Sequence, residues 1–274
     1  MILTLLNRKP SVAGMFYPAG RDELRGMIDN LLSRSYGVAK TGDIIGVVVP
    51  HAGYIYSGYT ASFAYNLMRN DDRRKFILIG PKHSGYPYET YFYPAGTWET
   101  PLGACKIDAE ASKEMQSIPN APKASELAFD DEHSIEVQVP WLQYLFNDDC
   151  SILPISMGDQ DLEKAKELAP VVSGFTPDSI IIASSDLTHY EPARKADAKD
   201  SELIKAIESL DVGSFYNVMD RINASACGYG PIATLMLVTR KLNGRIELLN
   251  HSSSGDTSGD YSSVVGYAAF VAYK

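Results

Sequence analysis

The chain has 274 residues, 45% of them hydrophobic, and a formal net charge of −9. No basic block interleaved with aromatic residues offsets that acidic balance, which argues against nucleic acid as a partner, and no apolar run is long enough to cross a bilayer. The opening stretch MILTLLNRKP lacks the charged leader and apolar length of a signal peptide, so a soluble, cytoplasmic protein is expected. Three cysteines, Cys105, Cys150 and Cys227, form no CxxC pair. Neither a disulfide framework nor a zinc ribbon is suggested, and any important cysteine acts singly.

In chain order, RDELRGMIDNLLSRS (21–35) reads as an amphipathic helix and IIGVVV (44–49) as a strand buried on both faces. A helix over GYTASFAYNLMRN (58–70) and a strand over FILIG (76–80) come next. SIEVQVPWLQYLF (134–146) is helical in pattern, SILPIS (151–156) a strand, DLEKAKELAPVVSG (161–174) a helix and SIIIAS (179–184) a strand. KDSELIKAIESL (199–210) and PIATLMLVTRKLNG (231–244) complete the helices, and VVGYAAFVAY (264–273) is the last strand. Asp161 precedes its helix as a cap, Pro231 suits a first helical position and Gly244 supplies a stop. Continuous apolar strands alternating with helices predict an α/β three-layer sandwich with a central, mainly parallel sheet. With no repeat and no linker, residues 1–274 read as one domain, and the polar stretch 250–263 reads as a loop.

In open α/β sheets the ligand site lies beyond the carboxyl ends of the strands, and the residues found there are consistent. His51 comes after GVVV, His83 after ILIG, and Asp186 and His189 after IIIAS; His133 sits ahead of the helix that carries Glu136 in its first turn. Of the five histidines, His251 alone has no such setting. One histidine after a strand is most often a hydrogen-bonded turn residue, but independent turns have no reason to share a residue type. The concentration therefore favours a metal site, since two histidines with one anionic ligand form the facial set used by non-haem iron. Asp186, Glu132, Glu136 and a thiolate are all candidates for the third ligand. Cys227 stands in a Gly/Pro turn opening a helix, where the positive end of the macrodipole favours thiolate. Cys105 and Cys150 lack this setting and read as packed, inert thiols. Gly53 and Gly58 suit the turn after the strand, Tyr54 and Tyr56 could line a cleft or simply pack, and neither GxGxxG nor GK[ST] marks a phosphate loop.

Six ordered segments, PSVAGMFYP (10–18), VVPHAGYIYSG, LIGPKHSG, DEHSIEVQVPWLQ, SSDLTHY and CGYGPI, together resemble the Memo family over nearly the whole chain. The resemblance implies a fold like that of class III extradiol dioxygenases, an α/β sandwich with its cleft at one end of the sheet. It implies metal-site residues His51, His83 and Cys227, with Asp186 and His189 beside them and His133 lining the cleft. It implies no fixed reaction. The dioxygenases use two histidines and a glutamate, and a thiolate in place of carboxylate favours softer ions such as Cu(I) or zinc and alters the potential of bound iron. Animal relatives are also described as adaptors that engage phosphotyrosine peptides.

The first expectation is thus a metal-dependent oxidoreductase, with Fe(II) or copper held by His51, His83 and Cys227, zinc as a further option, and a small substrate in the open positions. His189 would transfer protons, oriented by Asp186. The alternatives are a module binding a peptide or small anion without turnover, with Lys82 and Arg245 as a local positive spot, and a hydrolase using Cys227 with His189 or His133.

Overall fold

The computed structural model describes residues 7–35, 37, 40–83, 88–147 and 149–274. Residues 1–6 of the opening stretch, and Ser84 and Gly85 at the end of LIGPKHSG, lie outside them. The described strands are β1 (Asn7–Arg8), β2 (Ile44–Val49), β3 (Lys75–Pro81), β4 (Thr90–Phe92), β5 (Thr97–Thr100), β6 (Gly103–Ile107), β7 (Lys123–Ala124), β8 (Ser151–Met157), β9 (Ser179–Ser184), β10 (His189–Glu191), β11 (Arg245–Ser253) and β12 (Val264–Tyr273). The α-helices are α1 (Arg21–Arg34), α2 (Tyr54–Met68), α3 (Ala109–Ser117), α4 (Val139–Phe146), α5 (Leu162–Ser173), α6 (Ala193–Glu208), α7 (Val212–Arg221), α8 (Tyr229–Lys241) and the short α9 (Gly255–Ser258).

All the strands join one sheet, whose main path runs β1-β5-β6-β8-β3-β9-β2-β12-β10. Its centre, β8-β3-β9-β2, is parallel, with Phe76 opposite both Ile152 and Ile180, and Gly46 opposite Ile181. The flanks are not. β12 runs antiparallel to β2 and to β11, and β5 antiparallel to β6, so the sheet has the expected parallel centre but is mixed rather than purely parallel. The physical reason is connectivity: β11 returns into β12 through one short helix, and antiparallel strands need no long crossover. β12 nonetheless reads as a parallel-type strand because helices bury both its faces, and burial rather than direction sets the apolar pattern.

Alternate side chains of the central strands enter two cores. Phe76, Leu78, Ile180 and Ile182 pack with α1, α2 and α4 on one face. Ile77, Ile79, Ile181 and Ala183 pack with α5, α6, α7 and α8 on the other. These are the three layers that the pattern requires. Asp161 caps α5 as expected, its side chain accepting from the Lys164 N–H at 2.7 Å. Three expectations shift. α8 begins at Tyr229, so Pro231 stands at its third position rather than its first, still within the first turn, whose N–H groups have no partner inside the helix. Residues 250–253 belong to β11 rather than to a loop, and the segment from residue 134 enters α4 through a turn of 3-10 helix at Glu136–Gln138.

Candidate metal centre

The parallel register between β2 and β9 sets Val49 beside Ser184, so the residues just beyond each strand emerge together at the carboxyl edge. His51 and Asp186 meet there: the backbone N–H of His51 donates to Asp186 Oδ1 at 2.8 Å, and that of Ala52 at 3.4 Å. α8 begins directly over this edge. A Cβ on Gly228 would lie 2.2 Å from the Ser184 carbonyl oxygen, so only glycine lets the helix start come so close. That approach brings Cys227 Sγ to 3.0 Å from His51 Nε2, with the Asp186 N–H donating to the sulfur at 3.2 Å.

His83, beyond β3, is fixed by a buried carboxylate. Glu132 accepts from the His83 backbone N–H at 2.6 Å and lies 2.9 Å from its Nδ1. His133 stacks on His83 with ring centroids 4.5 Å apart, and its other side meets Phe16 at 4.7 Å. Phe16 arrives on the segment 10–18, which is strapped down by Glu136. That buried carboxylate accepts from Arg8, from the Ser11 and Val12 backbone N–H groups, from the Ser11 hydroxyl and from Tyr17 OH. Glu136 holds the strap and Glu132 orients His83, so of the four candidate third ligands Asp186 and the Cys227 thiol stand beside His51. Ligand atoms of His51, His83 and Cys227 lie within 4.8 Å of one another, as do those of Asp186, His189 and Cys227, and those of His83, Glu132 and His133.

These residues open on a cleft of about 490 Å³ that also takes in Phe16, Tyr190 and Val265. Its electrostatics stem from burial. Burial and the neighbouring imidazoles of His83 and His133 hold His51 well below the ordinary histidine range. Burial and His83 bring His133 down to about 4. Burial raises Asp186 to about 6, its hydrogen bonds from His51 and Ala52 only partly opposing this. Against its own burial, hydrogen bonds from His83 and Ser134 bring Glu132 to about 2. Cys227 is part-buried at the cleft floor, and desolvation together with Asp186 pushes its thiol upward. The helix-start argument for a thiolate is thus overridden: the macrodipole acts only through the first turn, whereas loss of water acts on the whole charge. Without a cation Cys227 is a neutral thiol facing a neutral imidazole. A cysteine hydrolase needs the opposite, a thiolate–imidazolium pair.

His189 lies at the cleft wall, its backbone N–H donating to Ser225 Oγ at 2.8 Å and its Nδ1 2.9 Å from the Leu187 carbonyl. A carbonyl only accepts, so neutral His189 carries its proton on Nδ1 and leaves Nε2 free. The next residue, Tyr190, has φ 56° and is 78% exposed at the cleft lip. His251 stands apart: its Nε2 is 3.0 Å from the buried Asp200, whose hydrogen bond raises the imidazole pKa. Tyr54 packs in the core and donates to the Val137 carbonyl, while Tyr56 is exposed. Lys82 and Arg245 make no common spot. Arg245 pairs with Tyr273, which in turn pairs with the start of β2, whereas Lys82 lies just past the end of β3. Sequence reasoning singled out Glu132 but not its service to His83, and it missed Phe16, Ser184 and Gln138 altogether. Only an N-terminal PSVAGMFYP segment of tight turns hinted at the strap.

Fold and site together define a class: an α/β protein with histidines and one cysteine converging in a cleft at the carboxyl edge of a mixed sheet. Residues 8–271 match the family of Memo-like proteins. The chain is 44% identical to a MEMO1 family protein of Thermoplasma acidophilum and 45% identical to one of Thermoplasma volcanium, each match covering 97% of this chain and 98% of the relative. A MEMO1 family protein of Methanosarcina acetivorans is 44% identical over 96% of this chain and 98% of its own length. The chain belongs to the Memo-like family.

Proposed function

We propose that this protein binds a transition-metal ion, Fe(II) or copper, through His51, His83 and Cys227, and uses it for redox or O2-linked chemistry on a small substrate. The observation that carries this reading is the convergence of three ligand atoms, from three separate segments of chain, within 4.8 Å. The donor set fits a cation. Asp186 is 4% exposed and only its Oδ1 accepts hydrogen bonds among the described residues, leaving Oδ2 4.0 Å from His51 Nε2 without a donor. An ionised carboxylate in a largely buried position is costly unless positive charge is supplied, and a metal at this cleft would supply it to Asp186 and turn the Cys227 thiol into a thiolate ligand.

When bound, such a metal supplies Lewis acidity and one-electron chemistry, with sulfur favouring the softer Cu(I) or zinc over the hard oxygen-loving ions. The protein's own residues do the rest. Glu132 holds the His83 ring in place, and Phe16 and His133 line the cleft beside it. His189, with Nε2 free, takes a proton from a bound substrate group and returns it. Asp186, which accepts from the His51 and Ala52 backbone N–H groups, fixes the His51 segment at the edge of the site.

Equilibrium dialysis with Fe(II) and Cu(I) under anaerobic conditions tests the ligand set. His51→Ala, His83→Ala and Cys227→Ser should each lose binding by about a hundredfold or more while keeping the parent circular-dichroism spectrum. Three variants that bind both ions like the parent would remove the reading. A module that binds a peptide or small anion without turnover is the second reading, favoured by Tyr190, whose strained backbone turns an aromatic ring out at the cleft lip. Whole-protein metal analysis separates the two, because such a module needs no stoichiometric metal.

A further inference from the structure

The two imidazoles that face Cys227 are held by unlike partners. Beside His83 Nδ1 lies a carboxylate, Glu132, which only accepts when ionised. Beside His51 Nδ1, at 2.9 Å, lies the Ser184 hydroxyl, which could either donate or accept. Three further hydrogen bonds decide which. The Pro50 carbonyl accepts from Gln138 Nε2 at 3.1 Å, and because a carbonyl has no proton to give, this fixes which way the amide faces. Its Oε1 then accepts from Tyr65 OH at 2.7 Å, and Nε2 sends its other hydrogen to Ser184 Oγ at 2.8 Å. The single proton of Ser184 goes to the Ser134 carbonyl at 2.7 Å. With its proton committed, the Ser184 oxygen has only a lone pair to offer His51.

We propose that Tyr65, Gln138 and Ser184 form a buried relay of positioning residues that holds His51 as its Nδ1–H tautomer, so that the Nε2 lone pair faces Cys227 before any metal arrives. The Cys227 contact agrees, since a neutral thiol 3.0 Å away donates to that lone pair while accepting from the Asp186 N–H. Tyr65, Ser184 and Gln138 are 0%, 1% and 1% exposed, so no water competes for the bonds that set the proton's place. The ligands are also made unequal. Behind His83 stands a carboxylate and behind His51 a neutral hydroxyl, so the two rings are polarised by unlike partners. The consequence for metal binding rests on the metal-centre reading; the tautomer itself does not.

Long-range 1H–15N spectra of the metal-free protein, labelled on histidine, test the tautomer directly. His51 should show a protonated Nδ1 and an unprotonated Nε2 at neutral pH. Finding Nε2–H as the major species would overturn the proposal, whatever the protein does with metal, and this arm needs no variant to fold. Ser184→Ala removes the acceptor and should show both tautomers in the same spectrum, with Co(II) or Fe(II) affinity lower by about 10- to 100-fold. Ser184→Thr keeps the hydroxyl and should restore the single tautomer. A Ser184→Ala protein with the parent tautomer and parent affinity would mean that the relay does not set the proton.

Discussion

The two ends of the central strands each bury an aspartate, and they treat it in opposite ways. At the amino ends, Asp71 is 6% exposed and fully met: Arg73 Nε and Nη2 lie 2.8 and 2.9 Å from its two oxygens and Lys40 Nζ 3.2 Å away. The same guanidinium donates to the Ile44 and Ser179 carbonyls, tying β2 and β9 together. Hydrogen bonding to Arg73 holds Asp71 well below the usual carboxylate range, despite its burial. At the carboxyl ends, Asp186 is buried as deeply but, among the described residues, receives only two backbone N–H groups and no cation, and burial raises it to about 6. One end is electrostatically complete within the chain. The other is left short of positive charge, in keeping with the metal site proposed there.

Substitutions that remove the charge at each end sharpen this contrast. Asp71→Asn should cause the largest loss, about 3 kcal/mol of stability at pH 7 in urea melts, because it breaks a buried pair and leaves a guanidinium without its partner. As the folded pKa of Asp71 is depressed, its stabilisation is present above the ordinary aspartate range and lost as pH falls through it, so parent and variant should converge in acid. Unchanged stability at pH 7 would mean that this end is not held by charge.

His189→Ala tests the chemistry of the opposite end. Any redox turnover by the metal-loaded protein should fall about a hundredfold, the usual scale for removing a general acid or base, with metal content retained. Stability should move by less than about 0.5 kcal/mol. Loss of metal in this variant would place His189 among the ligands instead.

A smaller change in stability than at Asp71, and one of reversed sign, is expected for Asp186→Asn in the metal-free protein. Between about pH 4 and 6 the folded state binds more protons than the unfolded chain, so stability falls as pH rises through about 6 and the cost is complete at pH 7. Replacing the carboxylate by an amide, whose oxygen can still accept from His51, should therefore stabilise the apoprotein by about 2 kcal/mol at pH 7 and by almost nothing near pH 4. Equal destabilisation at both pH values would show that Asp186 serves the fold in the way Asp71 does.

The positions at which β2, β3 and β9 end were legible because continuous apolar runs stop abruptly, and parallel strands deliver the residues beyond them to one edge. His51, His83, Asp186 and His189 were found in that way. β11 was not, since RIELLNHSS has no clean alternation and takes its order from pairing along β12. The direction of β12 was not legible either, because helices bury it on both faces, as they would a parallel strand. Nor could spacing say which acid served the cleft: Glu132 and Glu136 are four residues apart, yet one orients His83 and the other anchors the strap.

By itself the sequence determined the alternation of buried strands and helices and the residue types placed at the carboxyl edge, because hydrophobic period and strand termination are local properties of the chain. Only the tertiary structure decided the protonation states there. Whether Cys227 is thiol or thiolate depends on how much water the packed helix excludes, and which nitrogen of His51 carries its proton depends on a hydroxyl 133 residues away. Desolvation and hydrogen-bond direction are set by what surrounds a group in space, and residues distant in the chain supply those surroundings.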